Sequence, residues 1–548
     1  MKKLFAILLA FAVVTGISAC GGGGEEDPGN TNIPEGPFGK YEPGITLTSV
    51  RDIPNPAVVK YPDGDDVENN VWTRAIKEEM GINVKYEWTV DSSQYATRLN
   101  TMMASKQFPD FFYLTASQFQ SLVEEGMLAD LSGHYDKYGS DDLKRVYTEG
   151  GDNAIKSATV DGKLMALPWI SMAKEDTQML WVRTDWLQKL NLKMPETMDE
   201  LIDVAIAFAT RDPDGNGKND TFGLPVNGDT YGGLMWHKGF FNGYGSYPLA
   251  WVENNGKLQY GSTLPGTREA LLKLQQMYKR KDNTIELEFI NKTYFSLYDK
   301  LATGKYGIVY GPYYIAISPL QGVKTRDPKA EWKPVPLLSK KAGEIPKVQT
   351  SVDVAGYWVV SKDCKNPEAV IKLMNYWYEK FYFNKDTAIY EKFVNGPEYT
   401  GIYLNSPVIS YRAWNNLEAY MQVKDVLEGK ADKSTLGPIP LDYYNGIKKY
   451  QQGDNDSWSA QMCYEAVMNC TRLYKDKNLF MNDMSYFAID DITAQKFAVL
   501  QKNEREVFTK IIIGEYDISK YDQFLSDFDK LGGKEATDAI NKWYETQK

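Results

Sequence analysis

The sequence predicts an α/β protein built from more than one lobe, and three observations lead to this. The chain has 548 residues, which is more than one hydrophobic core normally holds. Stretches with strand character alternate with helical ones, beginning with a strand at 84–90 and a helix at 93–106. The C-terminal part is mostly helical, with amphipathic segments at 494–512, 520–531 and 534–546.

The first residues have the layout of a secretory signal. Two lysines precede an apolar run at 4–14, and small residues then lead to Cys20. The letters ISAC at 17–20 resemble the lipobox of bacterial lipoproteins, in which cleavage precedes the cysteine and its thiol is diacylated. We therefore expect residues 1–19 to be removed and Cys20 to anchor the protein in the bacterial cell membrane. An ordinary signal peptide with an incidental cysteine is the alternative.

Residues 21–44 are dense in Gly, Pro and acidic residues and contain few large apolar side chains. This composition is typical of a flexible linker. We interpret 20–44 as the lipidated cysteine followed by a tether, and we expect the fold to begin near Ile45. No later stretch is apolar for the roughly 20 residues that crossing a bilayer requires.

Charge and composition limit the kinds of partner that the protein is expected to bind. The formal charge is −11, and removing the two lysines of the signal makes it −13. An acidic surface without a basic patch argues against nucleic acid and anionic lipid head groups. The 37 Tyr and 13 Trp suit the faces and hydroxyls of sugar rings, although core packing accounts for most of them.

Three cysteines remain after the anchor: Cys364, Cys463 and Cys470. The last two are seven positions apart on a predicted helix, about 10 Å along its axis, which is beyond disulfide reach. Pairing of Cys364 with either stays open. Three buried thiols are the preferred interpretation, because no regular cysteine framework exists.

The first predicted sheet contains a strand at 109–114, followed by a helix from about Gln118. Open α/β sheets bind ligands at the carboxyl ends of their strands, so the segment 115–118 is a candidate ligand loop.

A second region begins with a short strand at 180–182 and a helix at 185–190. Residues 197–200 form a capping box, and apolar residues then recur at the helical spacing i, i+3, i+4 and i+7 from Leu201. Strands are predicted at 306–310 and 357–360. Asn366 as N-cap and Pro367 at the first helical position then predict the start of another helix.

The sequence DPDGNGKND at 212–220 matches the opening of a calcium loop. Oxygen donors at alternate positions converge because glycines let the chain turn, and Ca²⁺ accepts six to eight oxygens. The predicted ligands are the side chains of Asp212, Asp214 and Asn216, the carbonyl of Lys218, and Asp220. Position twelve is Gly223 rather than Glu, so a further ligand must come from elsewhere or from water. The alternative is a turn without metal; if Ca²⁺ binds, its role is structural.

Signatures of enzymes are scarce. His134 and His237 are the two histidines, and no H-E-x-x-H, G-x-S-x-G or P-loop pattern occurs. We therefore predict that the chain is not an enzyme. Two cleft carboxylates would suffice for a secreted glycoside hydrolase, which is the alternative function. A lipoprotein that displays an adhesive surface is a third interpretation.

The segment WVRTDWLQKLNL at 181–192, continuing through 195–197 into DPDGNGKNDTFGLP, resembles the family 1 extracellular solute-binding proteins of ABC importers. It is similar to their large calcium-loop branch, which includes alginate-oligosaccharide binding proteins and Gram-positive sugar-binding lipoproteins. Further matching stretches are FPDFFYL, GPYYIAISPL with DPKAEWKPVPL, GYWVVSKDCKNPEAVIKLMNYWY, and KLGGKEATDAINKWY.

This resemblance implies a type II periplasmic-binding-protein fold, a clamp of two lobes that closes at a hinge around ligand in the interlobe cleft. It implies one lobe from 45–158 plus 307–356, and another from 159–306 plus 357–548. The calcium ligands of the family fall on the five residues named above. Thr221 departs from the acidic residue at that place in the alginate binders.

The resemblance also implies a monomer that captures an oligosaccharide and delivers it to the membrane permease of an ABC transporter. Aromatic faces and fixed polar groups must cover the sugar. The candidate ligand contacts are Gln118, Trp169, Trp236, Tyr244, Tyr313, Tyr314 and Trp358, with Arg51 as a lower choice. Whether the saccharide is acidic or neutral stays open, as do peptides and other small solutes.

Overall fold

A computed structural model of the protein describes residues 33–53, 59, 61–225, 237–286, 299–395, 401–484 and 491–546. The strands are β1 (Ile45–Ile53), β2 (Ile82–Asp91), β3 (Phe111–Leu114), β4 (Thr159–Val160), β5 (Lys163–Leu164), β6 (Leu167–Ile170), β7 (Met179–Arg183), β8 (Trp251–Asn254), β9 (Lys257–Tyr260), β10 (Ile308–Gly311), β11 (Trp332–Val335), β12 (Val348–Ser351), β13 (Val354–Val360) and β14 (Phe480–Asp483).

The α-helices of the described residues span Val71–Met80, Ser92–Ser105, Ala116–Glu124, Ser132–Tyr138, Asp141–Glu149, Asn153–Ser157, Thr184–Lys189, Met198–Thr210, Lys238–Gly243, Gly266–Lys279, Leu320–Arg326, Pro367–Tyr378, Thr387–Phe393, Asn415–Leu427, Pro438–Gln451, Trp458–Ala466, Arg472–Asp476, Asp491–Ile512, Ser519–Phe528 and Gly533–Thr546. Helices predominate after β13, as the sequence predicts.

The main strands of the first lobe form two separate sheets. β1 and β2 run parallel from the Ile45–Ile82 pair, with an irregularity between Ser49 and Val50. β13 lies between β3 and β6 and is antiparallel to both. Because β3 and β6 end where β13 begins, the loops after Leu114 and Ile170 open at the same edge.

The second lobe is built around β7, which lies between β10 and β11 and is antiparallel to both. The first four of its five residues are fully buried, as expected for a strand with neighbours on both sides. β12 and β14 form a separate parallel pair, and β8 and β9 form a hairpin.

The strand pairing corrects the predicted lobe boundaries. Segment 307–356 was assigned to the first lobe, but its strands β10 and β11 pair with β7 in the second. Segment 357–548 was assigned to the second lobe, but β13 pairs with β3 and β6 in the first. β6 itself lies in the range 159–306, which was also assigned to the second lobe. Partners of this kind are distant along the chain, so local sequence patterns do not reveal them.

Local helix signals are confirmed more closely. The hydroxyl of Thr197 accepts the backbone N–H of Glu200 at 3.2 Å and opens the helix Met198–Thr210. The carboxylate of Glu200 accepts from the backbone N–H of Glu196 at 2.7 Å, one residue earlier than a regular capping box would place it. The helix after Asn366 begins at Pro367 as predicted.

The segment before Ile45 is packed on the first lobe, which corrects its assignment to the tether. Tyr41 is 1% exposed, and its hydroxyl donates to Glu368 at 2.8 Å. The ammonium of Lys372 donates to the carbonyls of Pro34 and Gly36 at 2.8 and 2.6 Å. The tether therefore ends before residue 34, because these contacts fix the chain from there on.

Cys364, Cys463 and Cys470 are all free thiols. Cys463 and Cys470 are buried as predicted, while Cys364 is half-buried. Burial raises the pKa of Cys463 to about 12 and that of Cys364 to about 12. No helix of the described residues has the length and apolar character needed to cross a membrane.

Candidate ligand-binding site

The chain passes between the lobes at 171–178, at 352–353 and again near 412–414. The ammonium of Lys174 on the first connection lies 2.6 Å from the carboxylate of Asp353 on the second. Arg412 on the third connection contacts Glu149 at 2.7 Å and Glu418 at 2.5 Å. An ion pair between largely buried groups therefore joins the first two connections, whereas Arg412 ties the third connection to the helices Asp141–Glu149 and Asn415–Leu427.

Glu175, the next residue on the first connection, caps the helix Asn415–Leu427. Its carboxylate accepts the backbone N–H of Leu417 at 2.7 Å and both the backbone and side-chain N–H groups of Asn416 at 3.1 and 2.8 Å. Glu175 is fully buried, and burial raises its pKa to about 8, although these hydrogen bonds oppose the rise. A buried acid thus fixes the position of a second-lobe helix.

Six tyrosines from both lobes lie beside these connections, and we call them the tyrosine cluster. Its members are Tyr313, Tyr382, Tyr390, Tyr403, Tyr411 and Tyr443. Four of them come from the segment 379–411, which follows the first-lobe helix Pro367–Tyr378, whereas Tyr313 and Tyr443 belong to the second lobe. All are half-buried except Tyr313, which is 8% exposed.

The members form a continuous series of neighbours within electrostatic reach. Tyr382 neighbours Tyr411, which interacts with Tyr403 through the hydroxyls. Tyr403 neighbours Tyr390, and Tyr390 neighbours Tyr443. Tyr443 in turn neighbours Tyr313. A tyrosine side chain combines an apolar ring face with a polar hydroxyl, which is the pairing that a sugar ring requires.

Asp176 lies next to the second-lobe end of the cluster, close enough to Tyr313 for the two groups to interact electrostatically. Its side chain is exposed to solvent, yet the protein around the carboxylate raises its pKa to about 7.

Two predicted contacts, Trp169 and Trp358, stack on each other in the first lobe with ring centroids 6.3 Å apart. Trp169 is half-buried and also lies 6.3 Å from the ring of Tyr411 in the cluster. The indole N–H of Trp358 donates to the carbonyl of Ile409 at 2.8 Å. Trp169 thus borders the cluster, whereas Trp358 supports it from behind.

The predicted pair Tyr313 and Tyr314 lies after β10, with the rings edge to face at 5.3 Å. Tyr313 belongs to the cluster and Tyr314 is half-buried beside it. The thiol of Cys463 lies 3.6 Å from the carbonyl of Tyr313. Of the predicted contacts, Trp169, Tyr313 and Tyr314 are therefore the ones that the fold brings to this region.

Other predicted contacts are engaged elsewhere. The side-chain oxygen of Gln118 accepts from the hydroxyl of Thr115 at 2.9 Å and caps the helix there. The guanidinium of Arg51 donates to three backbone carbonyls at 404–406, the nearest at 2.6 Å. Tyr244 is 5% exposed and packs on Phe240 at 5.4 Å.

Two further predicted residues, Trp236 and the lipidation site Cys20, lie outside the described residues. The sequence reasoning missed Asp176 and the five tyrosines at 382, 390, 403, 411 and 443. For the four tyrosines at 382, 390, 403 and 411, the available signal was the density of aromatic residues between 376 and 414.

A second opening lies on the other face of β13. Successive strand residues point to opposite faces, so Tyr357 and Trp358 face different sides. Tyr357 stacks on Phe119 at 4.3 Å and lines a cavity of about 1090 Å³. Its walls also include Thr115, Lys156 and Asn482. The loop after β3, predicted to bind ligand, therefore borders this cavity.

The predicted calcium loop turns sharply at Gly215 and Gly217, with φ of 73° and 74°. The carboxylate of Asp212 accepts the backbone N–H groups of Gly215, Asn216 and Gly217 at 3.0 to 3.1 Å. The side-chain amide of Asn216 donates to Asp220 at 3.0 Å. The loop is thus closed by its own hydrogen bonds.

A lysine outside the loop also holds two of the predicted ligands. The ammonium of Lys305 lies 2.7 Å from Asp214 and 3.0 Å from Asp220. The hydrogen bond from Asn216 and the charge of Lys305 hold the pKa of Asp220 below its usual value. The oxygen donors suit a hard cation, but no three His, Cys, Asp or Glu side chains among the described residues converge as a metal site would need.

Residues 72–396, more than half of the chain, match the family model described as bacterial extracellular solute-binding protein. The chain belongs to this family. As a solute-binding protein it has the two-lobed periplasmic-binding-protein fold, and we call the three connections between its lobes the hinge.

The lipoprotein LipO of Bacillus subtilis is 24% identical over 495 residues, which cover 87% of this chain and 89% of LipO. FusA, a fructooligosaccharide ABC transporter substrate-binding protein of Streptococcus pneumoniae, is 25% identical over 258 residues, 45% of this solute-binding protein and 47% of FusA.

Two solved structures share the fold. One is a solute-binding protein from Bifidobacterium longum infantis described as HMO binding and ABC-transporter associated, with a TM-score of 0.63 and 17% identity over 92% of this chain and 99% of that chain. The other is an EF-hand mutant of FusA in complex with fructo-nystose, with a TM-score of 0.57 and 17% identity over the same shares.

Proposed function

We propose that this protein is the extracytoplasmic, ligand-capturing subunit of an ABC importer and that it binds an oligosaccharide at the tyrosine cluster. The observation that carries the proposal is the series of half-buried tyrosines that crosses from one lobe to the other beside the hinge. FusA, which is described as a fructooligosaccharide transporter protein, supports a saccharide as the ligand class.

The cluster supplies both kinds of contact that a sugar needs. Ring faces cover the apolar carbons, and phenol hydroxyls pair with sugar hydroxyls. Pairing matters because each polar group that is buried without a partner costs about 1–3 kcal/mol. Members from both lobes, such as Tyr411 and Tyr443, would contact the same ligand, so binding would favour the form in which both lobes face it.

A thermal-shift screen of the purified protein against oligosaccharides tests this proposal. We expect one saccharide class to raise the unfolding midpoint in a dose-dependent manner, since ligand at a hundredfold excess over Kd adds about 2.7 kcal/mol of stability. Chromatography of the same mixtures should show intact sugar. A flat response, a response to peptides alone, or turnover of a sugar would refute it.

We also propose that Cys20 carries the lipid anchor. Support comes from the lipobox-like sequence and from LipO, which is described as a lipoprotein. Mass spectrometry of the protein from cells tests this: a diacylated N-terminal cysteine is expected, and release of a Cys20→Ala variant from the membrane should accompany it. An unmodified N-terminus beginning elsewhere would contradict the assignment.

A structural calcium ion in the loop at 212–220 is the third part of the proposal. The side chains of Asp212, Asp214, Asn216 and Asp220, with the carbonyl of Lys218, would hold it. Support comes from the oxygen donors at alternate positions and from the EF-hand of FusA, which the name of its solved mutant records. Bound Ca²⁺ would compete with Lys305 for two of the carboxylates.

A further inference from the structure

Asp176 is the acidic group that a ligand at the tyrosine cluster would meet at the second-lobe end. It is exposed to solvent and directly follows Glu175, whose carboxylate accepts the side-chain N–H of Asn416 at 2.8 Å. The side-chain oxygen of Asn416 in turn accepts from the hydroxyl of Tyr443 at 2.7 Å. Asp176 also interacts electrostatically with Tyr313. The carboxylate can accept hydrogen bonds from two sugar hydroxyls at once. Asp176 is therefore placed to fix the orientation of a saccharide rather than to hold the fold together.

Other acids surround the same cluster. Glu175 lies within electrostatic reach of Tyr313, Tyr382 and Tyr443. Asp442, which is exposed, has the same relation to Tyr390 and Tyr443. Acidic groups thus approach the cluster from the hinge connection and from the helix Pro438–Gln451.

The cationic side chains near this region are already paired with acidic groups of the protein. Arg412, which influences Tyr382, is bound by Glu149 and Glu418. Lys174, two residues before Asp176, is bound by Asp353. Glu175 keeps its proton up to about pH 8, because burial raises its pKa. At pH 8, among the described residues, Asp176 and Asp442 therefore leave an excess of negative charge at the cluster, since Arg412 is paired with acids of its own.

A uronate needs the opposite arrangement. Recognition of a carboxylate depends on charge-assisted hydrogen bonds, usually from Arg or Lys, and a carboxylate beside Asp176 would meet a like charge. To free Arg412 for such a contact would leave Glu149 buried without its partner, which is strongly unfavourable.

We propose that the cluster selects neutral oligosaccharides, with Asp176 as the hydroxyl-binding residue that also rejects uronates. This inference rests on the proposed function, since it names the saccharide class that the same site accepts. The relevant charges belong to the site itself. The preference for neutral sugar over uronate should therefore depend on Asp176 and not on the net charge of the protein.

Calorimetry at pH 8 with neutral tetrasaccharides (malto-, cello-, galacto- and fructo-) and with tetragalacturonate and tetramannuronate tests the inference. We expect one neutral class to bind at least tenfold more tightly than either uronate. A uronate that binds as tightly as any neutral sugar would overturn the inference and leave the importer proposal standing. Failure of every sugar would overturn the importer proposal, and this inference with it.

Two variants test the role of Asp176 directly. Asp176→Asn should weaken binding of the neutral sugar about tenfold and narrow the ratio between neutral sugar and uronate. Asp161→Asn, which alters an acid lining the cavity on the other face of β13, should change neither value. If Asp176→Asn unfolds at the temperature of the unmodified protein and binds both sugars unchanged, Asp176 does not contact ligand.

Discussion

The ammonium of Lys174 lies 2.6 Å from the carboxylate of Asp353, and the two residues belong to different connections between the lobes. Their side chains are 11% and 8% exposed, so the pair is largely shielded from water. Lys174 also donates to the carbonyl of Gly150. The pair therefore fixes two hinge segments relative to each other and to the first lobe.

Replacement of Lys174 by Met should destabilise the protein by about 3 kcal/mol, because Asp353 would remain buried without a cation. Urea denaturation followed by tryptophan fluorescence measures this. Lys534→Met is the matched control: its partner Asp538 is 65% exposed, and loss of such a surface pair costs less than about 1 kcal/mol. Equal effects of the two variants would contradict a structural role for the hinge pair.

Trp169→Leu should weaken saccharide binding by about tenfold or more, which corresponds to about 1.4 kcal/mol. The change keeps apolar volume but removes the flat face that borders Tyr411. Calorimetry with the sugar found in the screen provides the measurement. Asn482→Ala, in the cavity on the opposite face of β13, should leave affinity unchanged; the reverse pattern would move the ligand to that cavity.

Calcium should raise the melting temperature of a Lys305→Met variant more than that of the unmodified protein. Without the ammonium, the carboxylates of Asp214 and Asp220 repel each other and attract a cation more strongly. We expect the variant to melt at a lower temperature in chelator and to recover in millimolar Ca²⁺. A recovery that is no larger than that of the unmodified protein would show that the loop does not hold the ion.

Stability should decrease as pH rises from about 5 to 8, owing in part to Glu175. Burial raises the pKa of Glu175 to about 8 from 4.5, so between these values the folded protein keeps a proton that the unfolded chain has lost. The free energy of unfolding then falls with rising pH. Glu504, with a pKa raised by burial to about 7, acts in the same direction.

Urea denaturation at pH 5.5 and 8.5 checks the pH effect. Glu175→Gln should reduce the difference in free energy of unfolding between the two pH values, whereas Glu87→Gln, at an exposed position of β2, should not. The same difference in both variants would mean that Glu175 is ionised in the folded protein at neutral pH.

Local features were predictable because their causes are local. The helix Met198–Thr210 follows from Thr197 and the spacing of apolar residues after it. The strand at 357–360 was predicted correctly, but its lobe was not, because its partners lie more than 180 residues away. Which segments pair depends on the packing of the whole chain, and no short pattern encodes it.

The candidate site also contains some residues that local sequence predicts and others that it does not. Tyr313 was predicted from its place after a strand, and it lies in the cluster. Tyr443, on the helix Pro438–Gln451, was missed because its sequence surroundings predict only a helix. Arg51, chosen for a place after the first strand, lies within β1 and donates to the backbone at 404–406. In each case, contacts between distant parts of the chain determine whether the side chain lies in the cluster or packs elsewhere.

The contact between Tyr41 and Glu368 limits how far the protein could travel from a membrane. From Cys20 to Ile33 there are 13 positions, a length that spans at most about 45 Å when fully extended. With Cys20 anchored as proposed, the first lobe would stay within that radius of its lipid, while the second lobe is attached only through the hinge. Ligand would then be captured close to the membrane, because the first lobe is tethered near the importer and the second lobe can move relative to it.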